Sequence, residues 1–328
     1  PLITMRRRRQ KFKQQIYGQE QPNLFEISEG AYDTDSELVP MSDDVLAVPE
    51  RLRFMSFGSG SSGNCAYVGT PSCGILIDAG VDNNTVLAEL AANGVNPSTI
   101  QGIILTHDHG DHVRYAYAIL RRFKHMRIFA TPKAMTGLLR RHSMSRRIKD
   151  YHAPIYKEFP FKAGSLTITA FETSHDGTDN AGFCIEGGGT VFVITTDTGT
   201  ITARADHYIR KAEHLMIEAN YDAGMLRNGR YPVYLKARIA STTGHLDNAD
   251  TARYLAAVAP AGTLRRIFLC HLSLDNNTPQ LALGCVRGAL EEAGVAISPG
   301  HDEPHAEAGG RLCLSVLPRL ESSPLIVL

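Results

Sequence analysis

Residues 106–112 read Thr-His-Asp-His-Gly-Asp-His, placing three histidines (His107, His109, His112) and two aspartates (Asp108, Asp111) in six consecutive positions. They stand directly behind the apolar run Gly102-Ile103-Ile104-Leu105. Such a cluster is costly to bury unless something offsets it. A pair of divalent metal ions does so, because neutral imidazole and carboxylate are ligands for first-row transition metals. A loop leaving a strand can turn alternate side chains towards one point. The same juxtaposition recurs downstream: apolar runs lead into Ser174-His175-Asp176, into Asp197, into Glu218 and into His271. Strands ending in such residues are how a sheet gathers ligands from distant parts of a chain.

The elements that must position these groups begin at residue 51. Residues 52–57 read as a strand, followed by Gly58-Ser59-Gly60-Ser61-Ser62-Gly63-Asn64. This loop matches the dinucleotide-binding pattern GxGxxG literally, but the pattern needs a helix after its glycines. Two more strands follow instead, at 65–68 and 74–80, so the glycines read as a tight turn that lets backbone approach the site. Residues 83–93 carry apolar positions at helical spacing. A helix is expected over 113–123, a strand near 126–130 and a helix over 132–141, with strands and their ends again at 166–171, 191–199, 214–220 and 266–271. The alternation is that of an α/β (α+β) protein.

Composition narrows the function classes. The 328 residues suffice for a large core, and no window approaches the roughly 18 uninterrupted apolar residues of a membrane span. Pro1 is not an initiator and Met5 is a candidate start; Arg6 to Arg9 lack the apolar stretch of an export signal, so export is not expected. Six scattered cysteines without a CxxC read as reduced, mostly structural thiols of a cytoplasmic protein. Residues 1–50 pass from a basic start to an acidic stretch of low hydrophobicity, an expected flexible extension ahead of one hydrolase domain at 51–328. The net charge of zero hides an asymmetry: residues 113–149 contain eleven Lys and Arg and no Asp or Glu. A basic zone beside a hydrolytic cluster favours a polyanionic substrate, which gains affinity through counterion release.

HxHxDH, a His after a strand, an Asp after a strand and a late His resemble the metallo-β-lactamase superfamily, whose fold is a four-layer αββα sandwich with metals along one edge of its two sheets. By that resemblance His107, His109, His175 and Asp197 hold one divalent ion. Asp111, His112, Asp197 and His271 hold a second, and Asp108 faces away or braces a ligand. Zn, Mn and Fe all suit a carboxylate bridge. Asp111 is assigned a second duty, orienting a hydroxide held between the metals and accepting its proton. Flanking stretches are similar to the YycJ/WalJ family: the glycine loop, Glu218-Ala219-Asn220-Tyr221-Asp222, Gly244-His245-Leu246-Asp247-Asn248, and His271-Leu272-Ser273 with Asn276-Asn277-Thr278-Pro279. Asp247, the first 50 residues and an insert at 299–310 depart from the family pattern.

This second resemblance implies a 5′-to-3′ exonuclease acting on DNA, linked to repair. It also implies that His245 faces the scissile phosphate rather than a metal, with Glu218 holding its ring. Ser61, Asn64, Arg227, Arg230, Lys236 and Arg238 are expected at the substrate, the four basic residues lying in a loop-like stretch just before His245. Tyr221 and Tyr231 are candidates for stacking on a base or for packing. His125, His142, His152, His207 and His214 are assigned structural or surface roles, and His301 and His305 at most adventitious metal. Competing readings are hydrolysis of a small substrate (a cyclic nucleotide, thioester or lactam) and a non-catalytic nucleic-acid-binding module. Nothing in the sequence speaks to oligomeric state.

Overall fold

The computed structural model describes residues 50–298 and 310–328. The extension, apart from Glu50, and the insert, apart from Gly310, lie outside the described residues, as do His301 and His305. Two seven-stranded sheets face one another. The first contains β1 (Arg53–Gly58), β2 (Cys65–Gly69), β3 (Gly74–Ile77), β4 (Ile100–Ile104), β5 (Arg127–Ala130), β6 (His152–Pro154) and the last strand, β14 (Ile326–Val327), in the order β14-β1-β2-β3-β4-β5-β6. The second contains β7 (Phe161–Ala163), β8 (Leu166–Glu172), β9 (Ala181–Gly187), β10 (Thr190–Thr195), β11 (His214–Glu218), β12 (Arg266–Cys270) and β13 (Cys313–Val316), in the order β13-β12-β11-β10-β9-β8-β7. In each sheet an antiparallel meander passes into parallel strands, β3 to β6 and β10 to β13.

Helices cover the outer faces: α1 (Asn83–Ala92), α2 (Gly110–Val113), α3 (Ala116–Arg122) and α4 (Pro132–Arg141) follow strands of the first sheet. The second sheet is followed by α5 (Ala203–Ile209), α6 (Ala223–Asn228), α7 (Val233–Ile239), α8 (Asn248–Val258) and α9 (Pro279–Glu292). Three apolar clusters fill the gaps. One lies between the sheets around Phe54, Phe192 and Phe268, and one lies outside each sheet. Parallel strands covered on both faces have no polar side to show, which is why β10 to β12 read as continuous apolar runs. The layers are those of the expected αββα sandwich. Among the described residues no helix is long and apolar enough to cross a membrane. All six cysteines are free thiols, and only Cys285 is exposed.

Two expectations need correction. The helix expected over 113–123 is broken into α2 and α3, because the Tyr115 N–H is given to the Ala79 carbonyl (2.8 Å) of a neighbouring loop instead of to a helical acceptor. The stretch around 227–238 is not loop-like. Asp222 caps α6 by accepting from the Met225 N–H (2.8 Å), and Pro232 precedes α7. These helices bury almost nothing, Leu226 being the single buried residue of the two. They therefore lack the apolar stripe by which a helix is recognised.

Candidate metal centre

Parallel strands deliver the site. β4 ends three residues before His107 and β10 two residues before Asp197; β11 ends at Glu218 and β12 next to His271; His175 follows β8. Neighbouring C-terminal strand ends lie side by side, so residues more than 150 positions apart in sequence meet. The ligand atoms of His107, His109 and His175 fall within 4.8 Å of one another, as do those of Asp111, His112 and His271. Asp197 joins them, grouping with His107 and His112 and also with His271, Glu218 and His245. The structure thus brings together all seven residues expected to hold metal, with Asp197 between the two groups of histidines.

The imidazoles are pre-oriented. Nδ1 of His112 donates to Asp78 (2.8 Å), Nδ1 of His175 to the Gly244 carbonyl (2.8 Å) and Nδ1 of His271 to Glu218 (2.9 Å), while Nδ1 of His107 faces the Thr106 hydroxyl (3.1 Å). These contacts turn Nε2 of His112 and His271 towards Asp111 and that of His175 towards Asp197. Nε2 of His107 and of His271 are buried with no hydrogen-bond partner among the described residues. Buried nitrogens without partners are rare because they lose solvation without compensation. With two carboxylates beside them they fit a divalent ion. Burial and the neighbouring imidazoles hold the His107 pKa well below the ordinary value, and burial lowers that of His109 to about 4, so both rings are neutral. At His112 and His271 burial also opposes charge, but Asp197, with Asp78 and Asp111 at His112 and with Asp111 and Glu218 at His271, outweighs it. The pKa of His112 rises to about 9. These two rings therefore hold protons that a cation would displace.

Some supporting groups are visible only in the fold. Asp78 accepts from His112 and from both the N–H and hydroxyl of Thr106, all at 2.8 Å. Asp176 lies 3.4 Å from His109 Nε2 and pairs with Arg238 at 2.5 Å. Asn220 donates to the His271 carbonyl at 2.7 Å. Asp78, at the end of the apolar run 74–77, and Asp176, next to His175, carried the same signal as the ligands, whereas Asn220 stood in a motif without a role assigned to it. Asp108 faces away from the cluster and binds the Thr178 N–H (3.0 Å) and hydroxyl (2.5 Å) and Arg141 (3.2 Å). His142 Nε2 donates to its carbonyl at 2.7 Å, fastening the ligand loop to the end of α4.

Beyond the ligands, Glu218 is fully buried and accepts from His245 Nδ1 (2.7 Å), from His271 Nδ1 and from the Thr198 N–H (2.9 Å). It orients two histidines, not one. Burial opposes a charged His245 ring, and Glu218 more than compensates, raising its pKa. Asp111 is pulled below the usual carboxylate range; burial works against ionisation, but the His271 ring, whose Nε2 lies 3.7 Å away, and the charge of His112 prevail.

The expected substrate residues divide. Ser61, Arg227, Arg230 and Arg238 are exposed. Asn64 is instead buried: its side chain bridges the Gly60 backbone and lies 3.3 Å from Asp111 and 3.0 Å from His112 Nε2, so it anchors the ligand loop. Lys236 is half-buried and caps the end of α6 through the Arg227 carbonyl (2.8 Å), and Arg238 is held by Asp176. Tyr221 is buried, which settles it as packing, and Tyr231 is tied to Asp275 at 2.7 Å. An exposed aromatic that sequence gave no reason to choose, Tyr234 on α7, is 75% exposed. All eleven basic residues of 113–149 are exposed, and among the described residues only Arg141 of these has an ion-pair partner. A groove of about 420 Å³ leads from Gly110 past Arg114, Tyr117, Arg121 and His142.

Comparisons with known proteins agree with this geometry. A family model described as "Beta-lactamase superfamily domain" matches residues 74–271. The chain is 32% identical over 252 residues to "Exodeoxyribonuclease YycJ" of Bacillus anthracis, covering 75% of this chain and 92% of that one. It is 30% identical over 247 residues to "Exodeoxyribonuclease WalJ" of Streptococcus pneumoniae, covering 75% and 91%. Among solved structures, the metallo-β-lactamase fold protein YhfI of Bacillus subtilis superposes with a TM-score of 0.59 at 14% identity over 83% of this chain and 99% of that one, a likeness of fold. Two sheets presenting His and Asp at one edge, the matching family model and relatives of this identity lead to one assignment: the chain belongs to the metallo-β-lactamase superfamily and, within it, to the YycJ/WalJ family.

Proposed function

We propose that the chain is a metal-dependent phosphodiesterase that degrades DNA from a 5′ end, in the cytoplasm and in the service of repair. The observation that carries the proposal is the placement of His245, held by Glu218 at the rim of the seven-ligand cluster. The acid-free basic zone and the names of the relatives, both exodeoxyribonucleases, support DNA as the substrate. Bound here, a divalent pair would supply Lewis acidity that activates water and neutralises charge on the phosphate.

The chain's own residues do the rest. Asp111, ionised and half-buried, is the base to orient the attacking water and take its proton. His245 spends Nδ1 on Glu218, which leaves Nε2 to meet the scissile phosphate, and its raised pKa suits a proton donor to the leaving oxygen. Ser61, Arg227 and Arg230 contact the backbone of the strand without reading bases, and the Arg114–Arg121 groove guides it. Tyr234 offers an exposed ring for stacking on an end base.

The test is product analysis on end-labelled single- and double-stranded DNA and RNA, with metal-quantified protein in Mn²⁺ or Zn²⁺ and His107→Ala as contamination control. Mononucleotides released from the 5′ end of DNA by the wild type alone are expected. Intact DNA and RNA with two metals bound would refute the nuclease reading and point to a small substrate.

A further inference from the structure

At the other end of the second sheet, β11, β12 and β13 begin at His214, Arg266 and Cys313, which stand in register. Alternation puts His214 on the side of Met216, and Arg266 on the side of Phe268 and Cys270, facing the first sheet. Both side chains therefore look into the mouth of the inter-sheet space. A cavity of about 330 Å³ opens there, lined among the described residues by His214, Arg265, Arg266 and Arg311 with Leu264 and Cys313, and by no Asp or Glu.

Arg265 has a partner, Glu213 at 3.3 Å. Arg266 is only 7% exposed and has no ion-pair or side-chain hydrogen-bond partner among the described residues. His214 is 3% exposed, and its Nδ1 is buried without a partner among them. The Arg266 guanidinium has no counter-charge among the described residues, and the orphaned imidazole nitrogen of His214 beside it loses solvation without compensation. Burial, then Arg266 and Arg265, lower the His214 pKa to about 3, so the ring is neutral and has one N–H to give. Every group that is unsatisfied here would be satisfied by one small, multiply charged anion.

We infer that this cavity binds a phosphate-class dianion, either inorganic phosphate or the phosphomonoester of a nucleotide, gripped by Arg266 and Arg311 with a hydrogen bond from His214. Guanidinium forks match the oxygens of such a group. The strand from His214 to Glu218 is five residues, roughly 13 Å, so this site is separate from the metal centre and does not rest on the reaction proposed above.

The experiment is thermal unfolding of the full-length, metal-loaded protein against inorganic phosphate at constant ionic strength, with chloride as control, for wild type and Arg266→Met. Phosphate taken by the metal centre contributes equally to both. The wild-type midpoint should climb with phosphate as for a ligand of the native state. Arg266→Met should start no lower and lose the Arg266-dependent part, its phosphate affinity falling about tenfold or more. Should Arg266→Met fail to fold, Arg311→Gln, at an exposed position, should weaken binding in the same direction. The His214 imidazole signals in ¹⁵N-histidine spectra should move with phosphate in wild type. Titration with dAMP in parallel identifies the source, a nucleotide if it binds about tenfold tighter, phosphate itself if affinities match. An identical phosphate response in wild type and both variants, with unmoved His214 signals, overturns the inference. So does binding that appears only after Asp302→Asn, Glu303→Gln and Glu307→Gln, which would assign the cavity to acids of the chain's own insert.

Discussion

Single residues set the chemistry through the partners that orient them. His245 is the clearest case: its Nδ1 is committed to a fully buried carboxylate, and its ring centroid stands 4.9 Å from that of His175 and 5.3 Å from that of His271. His245→Gln should leave metal content at the wild-type value by elemental analysis, yet lower kcat on DNA by about 10²–10³-fold, the usual scale for losing an acid or oxyanion donor. Parallel loss of metal would instead make His245 a ligand. Asp78 acts one step further back. Asp78→Asn keeps the shape and removes the charge that holds His112, so affinity for the second metal should fall about 10–100-fold in competition with a chelator. Unchanged affinity would leave Asp78 with only its bonds to Thr106. The left-handed backbone at Asp78 (φ 58°) tolerates Asn, which makes the substitution a fair probe.

At the scale of elements, strand ends and loops are knitted so that the ligands have nowhere else to point. Asn64 N–H donates to the Asp111 carbonyl (2.8 Å), Ala79 N–H to the His112 carbonyl (2.7 Å) and Gly80 N–H to the Asn64 carbonyl (2.8 Å), tying the glycine loop, the turn after β3 and α2 together. Gly80 is required by this closeness, since a Cβ there would sit 1.6 Å from the Asp111 carbonyl oxygen. Gly80→Ala must push the Asp111–His112 backbone away. The expected cost is about 1–3 kcal/mol of stability, as for other overpacked sites, together with loss of the second metal and retention of the first. Calorimetric titration with Zn²⁺ would report a stoichiometry of two in place of one if the loop absorbs the methyl group. Strain is concentrated here as well: of the four non-glycine residues with positive φ among those described, Asp78, Asp197 and His271 belong to the site. Their backbone is bent where each strand delivers its side chain.

Across the whole molecule, the two sheets separate tasks. The segment that follows the ligand loop, residues 113–149, exposes all eleven of its basic residues. Replacing Arg121, Arg122, Arg146 and Arg147 together by Gln should raise KM for DNA and flatten its dependence on log salt by about 0.7 for each single-strand phosphate that is no longer neutralised. kcat on bis-p-nitrophenyl phosphate, too small to reach that segment, should stay within a factor of about two. An unaltered salt slope would mean that the strand runs past Arg227 and Arg230 instead. The opposite end of the second sheet, where Arg266 lies, is untouched by these substitutions.

The sequence by itself determined the sandwich and the family, and it pointed to the seven His and Asp residues that the fold brings together, because apolar runs lead into them and the spacing HxHxDH stands in one loop. It also showed the basic zone, a property of composition that needs no coordinates. Only the tertiary structure decided that Asn64 anchors the ligand loop, that Lys236 caps a helix, that Tyr221 is core and that Glu218 serves two histidines. It alone broke the helix expected over 113–123, by giving the Tyr115 N–H to Ala79. The reason is common to all of these: periodicity and residue type report how a segment meets solvent and core, whereas the partner of a polar group is chosen by what another segment places within about 3 Å.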